Sequence, residues 1–364
     1  MSQCYAQHMS QCYAQHRPTR LAARTGQNRF VHVTAHAPVR TADLGGWTDT
    51  WFAASGTVCN VAVEPGITVD LVLSKRSAPN PRVRIVNGSL VQEYRYTPDE
   101  VPGSVDPLIA AAVRCVAPPG DVEIRIESGV PAGSGLGTSA SLAVALLAGL
   151  HALHGVSLDR AELARRAHSV ETSLGLQSGV QDQLGAAFGG VHLFDIAYPG
   201  LGSPPLRVAD QLAAHLGSSL VTVYLGHPHR SSEIHEQVIA SLEEGDNDAK
   251  LQPLRAAALE GFAAVCAGDL EAYGLAMRSN HAAQEALHPA LVSELANRTI
   301  RVAEASGARG WKVNGAGGDG GSLCLLGPSD PTEREEMIRA VAAVGGVRVL
   351  DLRVAFSGVE VVIG

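Results

Sequence analysis

Apolar and polar positions alternate with a period of two along Val122-Glu-Ile-Arg-Ile-Glu-Ser128, which places Val122, Ile124 and Ile126 on one face and predicts a strand. Shorter strands are expected at Arg29–His36, Gly66–Leu73 and Val83–Val86, parted by turn material such as Pro79-Asn-Pro81 and Pro118-Pro-Gly120. The apolar run Leu142–Leu150 predicts a helix that opens directly after a glycine-rich loop. A second helix is expected from Asp159, whose carboxylate can cap it, with Glu162 completing a capping-box pattern. Its stripe is Leu163, Ala167, Val170 and Leu174. After Pro199-Gly-Leu-Gly-Ser-Pro-Pro205 the pattern restarts with a strand at Ser219–Leu225. Helices follow near Ser231–Glu243, Leu251–Ala267, Leu270–Ala286 and Pro289–Ser306, and strands at Gly321–Leu326 and Val347–Phe356. The mixture predicts an α+β or α/β build in two halves, residues 29–205 and 206–364.

Composition narrows the class. At 364 residues, with 46% hydrophobic and 18% charged positions, the chain has material for two ordinary cores. A net charge of -8 argues against a general nucleic-acid surface, and no apolar run reaches the length of a membrane span. Six scattered cysteines without a C-x-x-C pair fit reduced thiols, so a cytoplasmic location is expected. Residues 1–8 repeat unchanged as residues 9–16, and residues 1–28 are expected to form a disordered or tag-like tail outside the fold. His227, His229 and His235 are too irregularly spaced to suggest zinc.

The chemistry concentrates in Pro131-Ala-Gly-Ser-Gly-Leu-Gly-Thr-Ser-Ala-Ser141. A strand, a glycine loop and a helix N-terminus suit a phosphate: glycine lets backbone N–H groups approach the anion, and the helix end adds positive potential. No Gly-Lys-Ser/Thr follows, so this is not a Walker A loop.

The loop resembles the second motif of the GHMP kinases. Ala37-Pro-Val-Arg-Thr-Ala-Asp-Leu-Gly-Gly-Trp-Thr-Asp49 resembles the family's first, substrate-side motif, and Lys312-Val-Asn-Gly-Ala-Gly-Gly-Asp-Gly-Gly-Ser322 its C-terminal glycine motif. The resemblance covers most of residues 31–364. It implies an α+β, two-domain fold, with an N-terminal domain like the second domain of ribosomal protein S5 and a ferredoxin-like C-terminal domain. It also implies ATP and Mg2+ as cofactors, a small-molecule sugar or sugar phosphate as partner, and no nucleic acid or membrane. Oligomeric state is not legible.

Residue by residue, the resemblance assigns Pro131, Gly133, Gly135, Leu136, Gly137, Thr138, Ser139, Ala140 and Ser141 to the nucleotide. Asp182, in Ser178-Gly-Val-Gln-Asp-Gln183, is the catalytic carboxylate, with Arg40 beside it lowering its pKa. Glu171, eleven positions earlier, and Ser139 are the magnesium ligands, with Thr138 the next hydroxyl. Asp49, Gly45, Gly46, Trp47, Gly179, Arg230, Gly315, Gly317 and Gly318 are assigned to substrate. Gly46 and Trp47 stand where galactokinases have Glu and His, and the Gly-Gly-Trp-Thr-Asp version resembles the L-fucokinase and heptose 7-phosphate kinase branches. Residues 183–195 and 225–232 lean towards heptose, and Asn280 matches a recurring asparagine of that branch. Asp319 interrupts the third motif, where a carboxylate beside a triphosphate would repel it. The expected activity is phosphorylation of the anomeric hydroxyl of a heptose 7-phosphate or hexose. The alternatives are an L-fucokinase-like hexose 1-kinase, a mevalonate-type kinase, or a non-catalytic sugar and ATP sensor.

Overall fold

The structure is a computed structural model that describes residues 19–20, 30–88, 90–97, 103–228, 233–244 and 247–364. The duplicated octapeptide and Arg230 lie outside the described residues. Within the expected tail, Thr19–Arg20 forms a short strand, β1, paired with β7, Val156–Ser157. Those two residues therefore belong to the fold.

A ten-stranded sheet is organised around β3, Ser55–Ser74, which pairs antiparallel with β2 (Val31–Leu44), β6 (Asp121–Ser128) and β8 (Val191–Ala197). Beside β6 lie β4 (Arg82–Asn87), parallel to it, and β5 (Leu90–Arg95). The strand expected at 29–36 is far longer because Ala37–Leu44 is buried at every position, which erases the alternation that marks a half-exposed strand. Two register shifts, between Ala37 and Val39 and between Thr41 and Leu44, bend β2 where the first motif begins.

Four helices cover this sheet: α2 (Thr138–Leu153) and α4 (Gln181–Phe188) pack on β2 and β3, while α1 (Pro107–Cys115) and α3 (Arg160–Thr172) pack on each other and on α2. They share a core that includes Leu71, Ile85, Ile124, Leu146, Leu147 and Leu150. Gly149 lets α2 lie close on the sheet, since a Cβ there would stand 2.2 Å from Leu71 Cδ1. Asp159 caps α3 by accepting from the Glu162 N–H at 3.0 Å. The reciprocal half of the box is replaced, as the Glu162 carboxylate pairs with Arg165 and Arg166.

A four-stranded antiparallel sheet, in the order β12-β13-β11-β14, follows: β11 (Leu220–Tyr224), β12 (Gly310–Val313), β13 (Ser322–Leu326) and β14 (Arg348–Leu350). With α9 (Glu294–Ala305) and α10 (Pro331–Ala342) it encloses a separate core around Val223, Ile300, Leu323, Leu325 and Met337. Of the helices α5 (Asp210–Gly217), α6 (Glu233–Glu243), α7 (Asn247–Ala267) and α8 (Leu270–Leu287), α7 and α8 pack on each other and join the sheets, α7 against β3 and α8 against β12. The helix expected at 289–306 is interrupted: a 3-10 turn at Pro289–Leu291 precedes Ser293, which caps α9.

Strand pairing crosses the division expected at 205/206. β9 (Gly200–Leu201) and β10 (Leu206–Arg207) both pair with β8, so the proline-rich stretch is a connection within the large sheet. The strand expected at 347–356 is shared between sheets: β14 pairs with β11, whereas β15 (Arg353–Val354) pairs with β3. Leu350, Leu352 and Val354 all pack against the large core, which is why one alternation runs through both. The chain ends with β16 (Glu360–Ile363) on β2.

Candidate active site

β2, the loop before α2, and the start of α4 converge on a cleft of about 660 Å3. Gly133, Gly135 and Gly137 line it with φ of +67°, +70° and +75°, a left-handed backbone that favours glycine. Gly137 precedes α2 without a side-chain cap, so the first N–H groups of that helix remain available to an anion, with Thr138, Ser139 and Ala140 on the cleft wall. A Cβ at Gly137 would stand 3.1 Å from the Asp182 carboxyl carbon. The helix end and that carboxylate therefore face each other directly.

Asp182 sits in the first turn of α4 and accepts from Arg40 Nε at 2.8 Å. Arg40 is buried, its backbone N–H donates to the Leu136 carbonyl at 2.9 Å, and its Nη1 donates to the Gly135 carbonyl. Burial opposes its charge, but Asp182, Asp43 and Asp49 together raise its pKa above the ordinary arginine value. Asp49 is also buried and accepts from the Gln181 N–H at 2.9 Å. Burial pushes its carboxyl up to about 6, the Gln181 N–H opposes this, and Asp182 adds to it. Gly179 explains itself here, because a Cβ would lie 1.9 Å from Asp49 Oδ2.

Glu171, near the end of α3, accepts from Gln183 Nε2 at 2.5 Å and from Ser178 Oγ at 3.5 Å, with the Ser139 hydroxyl near enough to favour its charged form. Burial pushes it up to about 7; Ser139 lowers it and Asp182 raises it further. No group of three or more His, Cys, Asp or Glu side chains suited to a metal occurs among the described residues. One buried carboxylate beside one hydroxyl nevertheless fits magnesium, which takes few protein ligands and shares the rest with water and phosphate.

The other wall is aromatic. Trp47, with φ +77°, packs edge-on against His235 of α6 at 5.7 Å and near Phe52 at 6.4 Å. Trp51 Nε1 donates to Glu243 at 2.7 Å, fastening this wall to α6.

Several expected site residues make scaffold contacts. Leu136 is in the core, Pro131 does not line the cleft, and the Ser141 hydroxyl donates to the Pro38 carbonyl at 2.7 Å. Gly45 donates its N–H to Asn280 Oδ1 at 2.7 Å, so both hold the first motif in place. Gly46 lies against Asp43 and Gln181, and a Cβ there would come within 3.2 Å of both. Of the third-motif glycines, Gly315 lines the cleft. Gly317 and Gly318 press on the 3-10 turn, where the Gly318 N–H donates to the Leu291 carbonyl at 2.7 Å. Asp319 is 84% exposed and faces His227 at 3.6 Å, so it turns to solvent. Sequence reasoning missed Gln181, Gln183, Ser178, Ile239 and the buried pair Asp43–Lys312. Asp43 and Lys312 both stand inside quoted motifs, but nothing along the chain pairs them.

A backbone cradle opposed by a guanidinium–carboxylate pair is an arrangement that can hold a phosphate group. Residues 107–190 match the GHMP kinases N terminal domain. The chain is 25% identical to the bifunctional fucokinase/GDP-fucose pyrophosphorylase of Arabidopsis thaliana, over 79% of this chain and 29% of that protein. It is 27% identical to the mevalonate kinase of Thermococcus onnurineus, over 62% of this chain and 64% of that one. It is 24% identical to the D-glycero-alpha-D-manno-heptose 7-phosphate kinase of Campylobacter jejuni, over 60% and 64%. The match spans less than two thirds of the length of each of these relatives. A crystal structure of a D-glycero-D-manno-heptose 1-phosphate kinase from Bacteroides thetaiotaomicron superimposes with a TM-score of 0.70 at 21% identity, covering 91% of this chain and 98% of that one. The chain thus shares the fold of this solved kinase, with the GHMP kinase N-terminal match confined to residues 107–190. No helix among the described residues is long and apolar enough to cross a membrane.

Proposed function

We propose that the protein is an ATP- and Mg2+-dependent sugar kinase that phosphorylates the anomeric hydroxyl of a heptose 7-phosphate or a hexose. The observation that carries this reading is the Arg40–Asp182 pair at 2.8 Å, abutting the N-terminus of α2. Asp182 is placed to hold, and accept a proton from, a hydroxyl that attacks a phosphoryl group in the cradle. Arg40 donates to Asp182 at 2.8 Å and offsets negative charge developing beside it. Backbone N–H groups of Thr138, Ser139 and Ala140 bind phosphate oxygens, and Asp49 accepts from sugar hydroxyls on the far side. Ser139 and Glu171 would hold Mg2+, which when bound neutralises phosphate charge. Trp47, Phe52 and Ile239 exclude water from that end.

The hexose arm of this proposal gains support from the reach of the likeness to the fucokinase protein, 79% of this chain against 60% for the heptose kinase. ADP release with ATP and Mg2+ is measured against D-glycero-D-manno-heptose 7-phosphate, L-fucose, galactose, mannose, arabinose and mevalonate. Turnover on one sugar with phosphate at C1 is expected. Turnover on mevalonate alone, or ATP binding with silence on every acceptor, would overturn the sugar kinase reading.

A further inference from the structure

Behind Arg40 lies a charge pair that the proposed reaction does not touch. Asp43 and Lys312 are both fully buried, and Lys312 Nζ donates to Asp43 Oδ1 at 2.8 Å and to the Val313 carbonyl at 2.7 Å. The same carboxylate accepts the Gly315 N–H, at 3.0 Å to Oδ2 and 3.2 Å to Oδ1. Its Oδ2 lies 3.9 Å from Arg40 Nη2. The guanidinium is thus held at three corners: Nε on Asp182, Nη1 on the Gly135 carbonyl, and Nη2 facing Asp43. Around it the two glycine loops meet, since a Cβ at Gly315 would stand 3.2 Å from the Gly135 carbonyl oxygen and 3.3 Å from Arg40 Nη2.

We infer that Asp43 and Lys312 are a positioning pair: Asp43 orients the Arg40 guanidinium onto Asp182 and ties Gly315 to the glycine loop, and Lys312 keeps Asp43 from drawing Arg40 away. The inference rests on the roles given above to Arg40 and Asp182. Its physical ground is charge balance in a dry space. Asp43, Asp49 and Asp182 all act on Arg40, and one guanidinium serves three carboxylates poorly unless a second cation takes one of them. Lys312 takes Asp43. Stability alone gives little reason to keep such a pair, because well-packed apolar replacements of buried ion pairs are often neutral or stabilising. A geometric duty at Arg40 supplies the reason. The neighbouring bonds serve the same junction: Asn314 Oδ1 accepts the Ala42 N–H at 3.0 Å, and Gln284 Nε2 donates to the Gly315 carbonyl at 3.0 Å.

The test is the double variant Asp43→Asn/Lys312→Met, which removes both charges at nearly constant volume. It is read by melting temperature, by kcat and KM for both substrates, and by the 15N–H signal of Arg40 Nε, assigned through its loss in Arg40→Lys. The expected result is a melting temperature near that of the wild type and an Arg40 Nε–H signal that loses protection from exchange. With it should come a fall in kcat of about tenfold or more at little-changed KM values. Asp182→Asn, which removes the partner of that N–H, should abolish the same protection. A double variant with the wild-type Arg40 signal and wild-type kcat would overturn the inference while leaving the kinase reading intact. If the wild type turns over no acceptor, the kinase reading fails and the Arg40 signal alone decides: protection kept in the double variant overturns the positioning role, and protection lost supports it. Should the double variant not fold, Lys312→Gln, which keeps a donor for Asp43 without the charge, carries the same expectations.

Discussion

The two ends of the cleft are built by different means. The end proposed to take the anion is local: Gly133, Gly135, Gly137, Thr138, Ser139 and Ala140 come from one loop and the helix turn after it. The opposite end is assembled from Trp47, Trp51 and Phe52 after β2 and from His235 and Ile239 of α6, nearly two hundred positions away. Backbone geometry does the work at the first end, where left-handed glycines and free helix N–H groups need no particular side chain. Side-chain packing does it at the second, where a buried apolar cluster of Trp47, Val238, Ile239, Leu242 and Leu251 sets the wall. A cradle of backbone groups suits a ligand part that is always the same, and a side-chain wall suits the part that varies.

The contrast is broken most sharply by a residue that belongs to both ends. Asp182 abuts the helix terminus, holds Arg40 and acts by its charge on Asp49, so Asp182→Asn should lower kcat by about a thousandfold or more with nucleotide affinity nearly unchanged. Single-turnover kinetics and an ATP titration check it; unchanged turnover would sink the catalytic assignment. Trp47→Ala comes next. It should raise the acceptor KM about tenfold to a hundredfold and leave the ATP KM within about twofold, as expected when only one end loses contact area. Equal changes in both KM values would show that the ends are not independent.

What was legible in the sequence follows the same division. Gly137 and Asp182 were visible because each lies in a compact motif with its neighbours, and α2 and α3 were visible because an apolar run and the Asp159 cap are local signals. The extension of β2 through Ala37–Leu44 was not legible, since burial on both faces removes the period-two pattern. Nor was the sharing of residues 347–356 between two sheets, because β14 and β15 keep one alternation while changing partners. Asp43–Lys312 joins positions 269 residues apart, and no periodicity reports such a contact. The protein neighbours of Gly317, Gly318 and Gly45 were not legible for a related reason: a glycine motif shows where backbones approach closely, but not what they approach.

Glu171 tests the anion end by titration. Its carboxyl is pushed up to about 7 by burial, so the folded protein holds that proton more tightly than the unfolded chain does. The sign follows: the ligand-free protein should lose stability as pH rises from the ordinary carboxylate range towards about 7. Mg2+ binds the ionised form, so its apparent affinity should rise by up to about tenfold per pH unit below 7 and level off above it. Isothermal titration of Mg2+ with nucleotide between pH 5.5 and pH 8.5, beside Glu171→Gln, separates this from general salt effects. A flat profile in the wild type would remove Glu171 from the metal site.

The smallest effect sharpens the comparison within α2 itself, between two serines two positions apart. Ser139 lines the cleft and favours the charged form of Glu171, whereas Ser141 points inward and donates to the Pro38 carbonyl at 2.7 Å. Ser141→Ala leaves that buried carbonyl without its donor, so it should cost about 1–2 kcal/mol of stability and leave nucleotide affinity as it was. Ser139→Ala should do the reverse, weakening Mg2+-nucleotide binding while the melting temperature holds. Urea denaturation and nucleotide titration of both variants make the check. The crossed pattern is expected because one turn of helix presents Ser139 to the anion and Ser141 to β2, and the same loss at both positions would mean that the anion end is not the backbone device that its glycines describe.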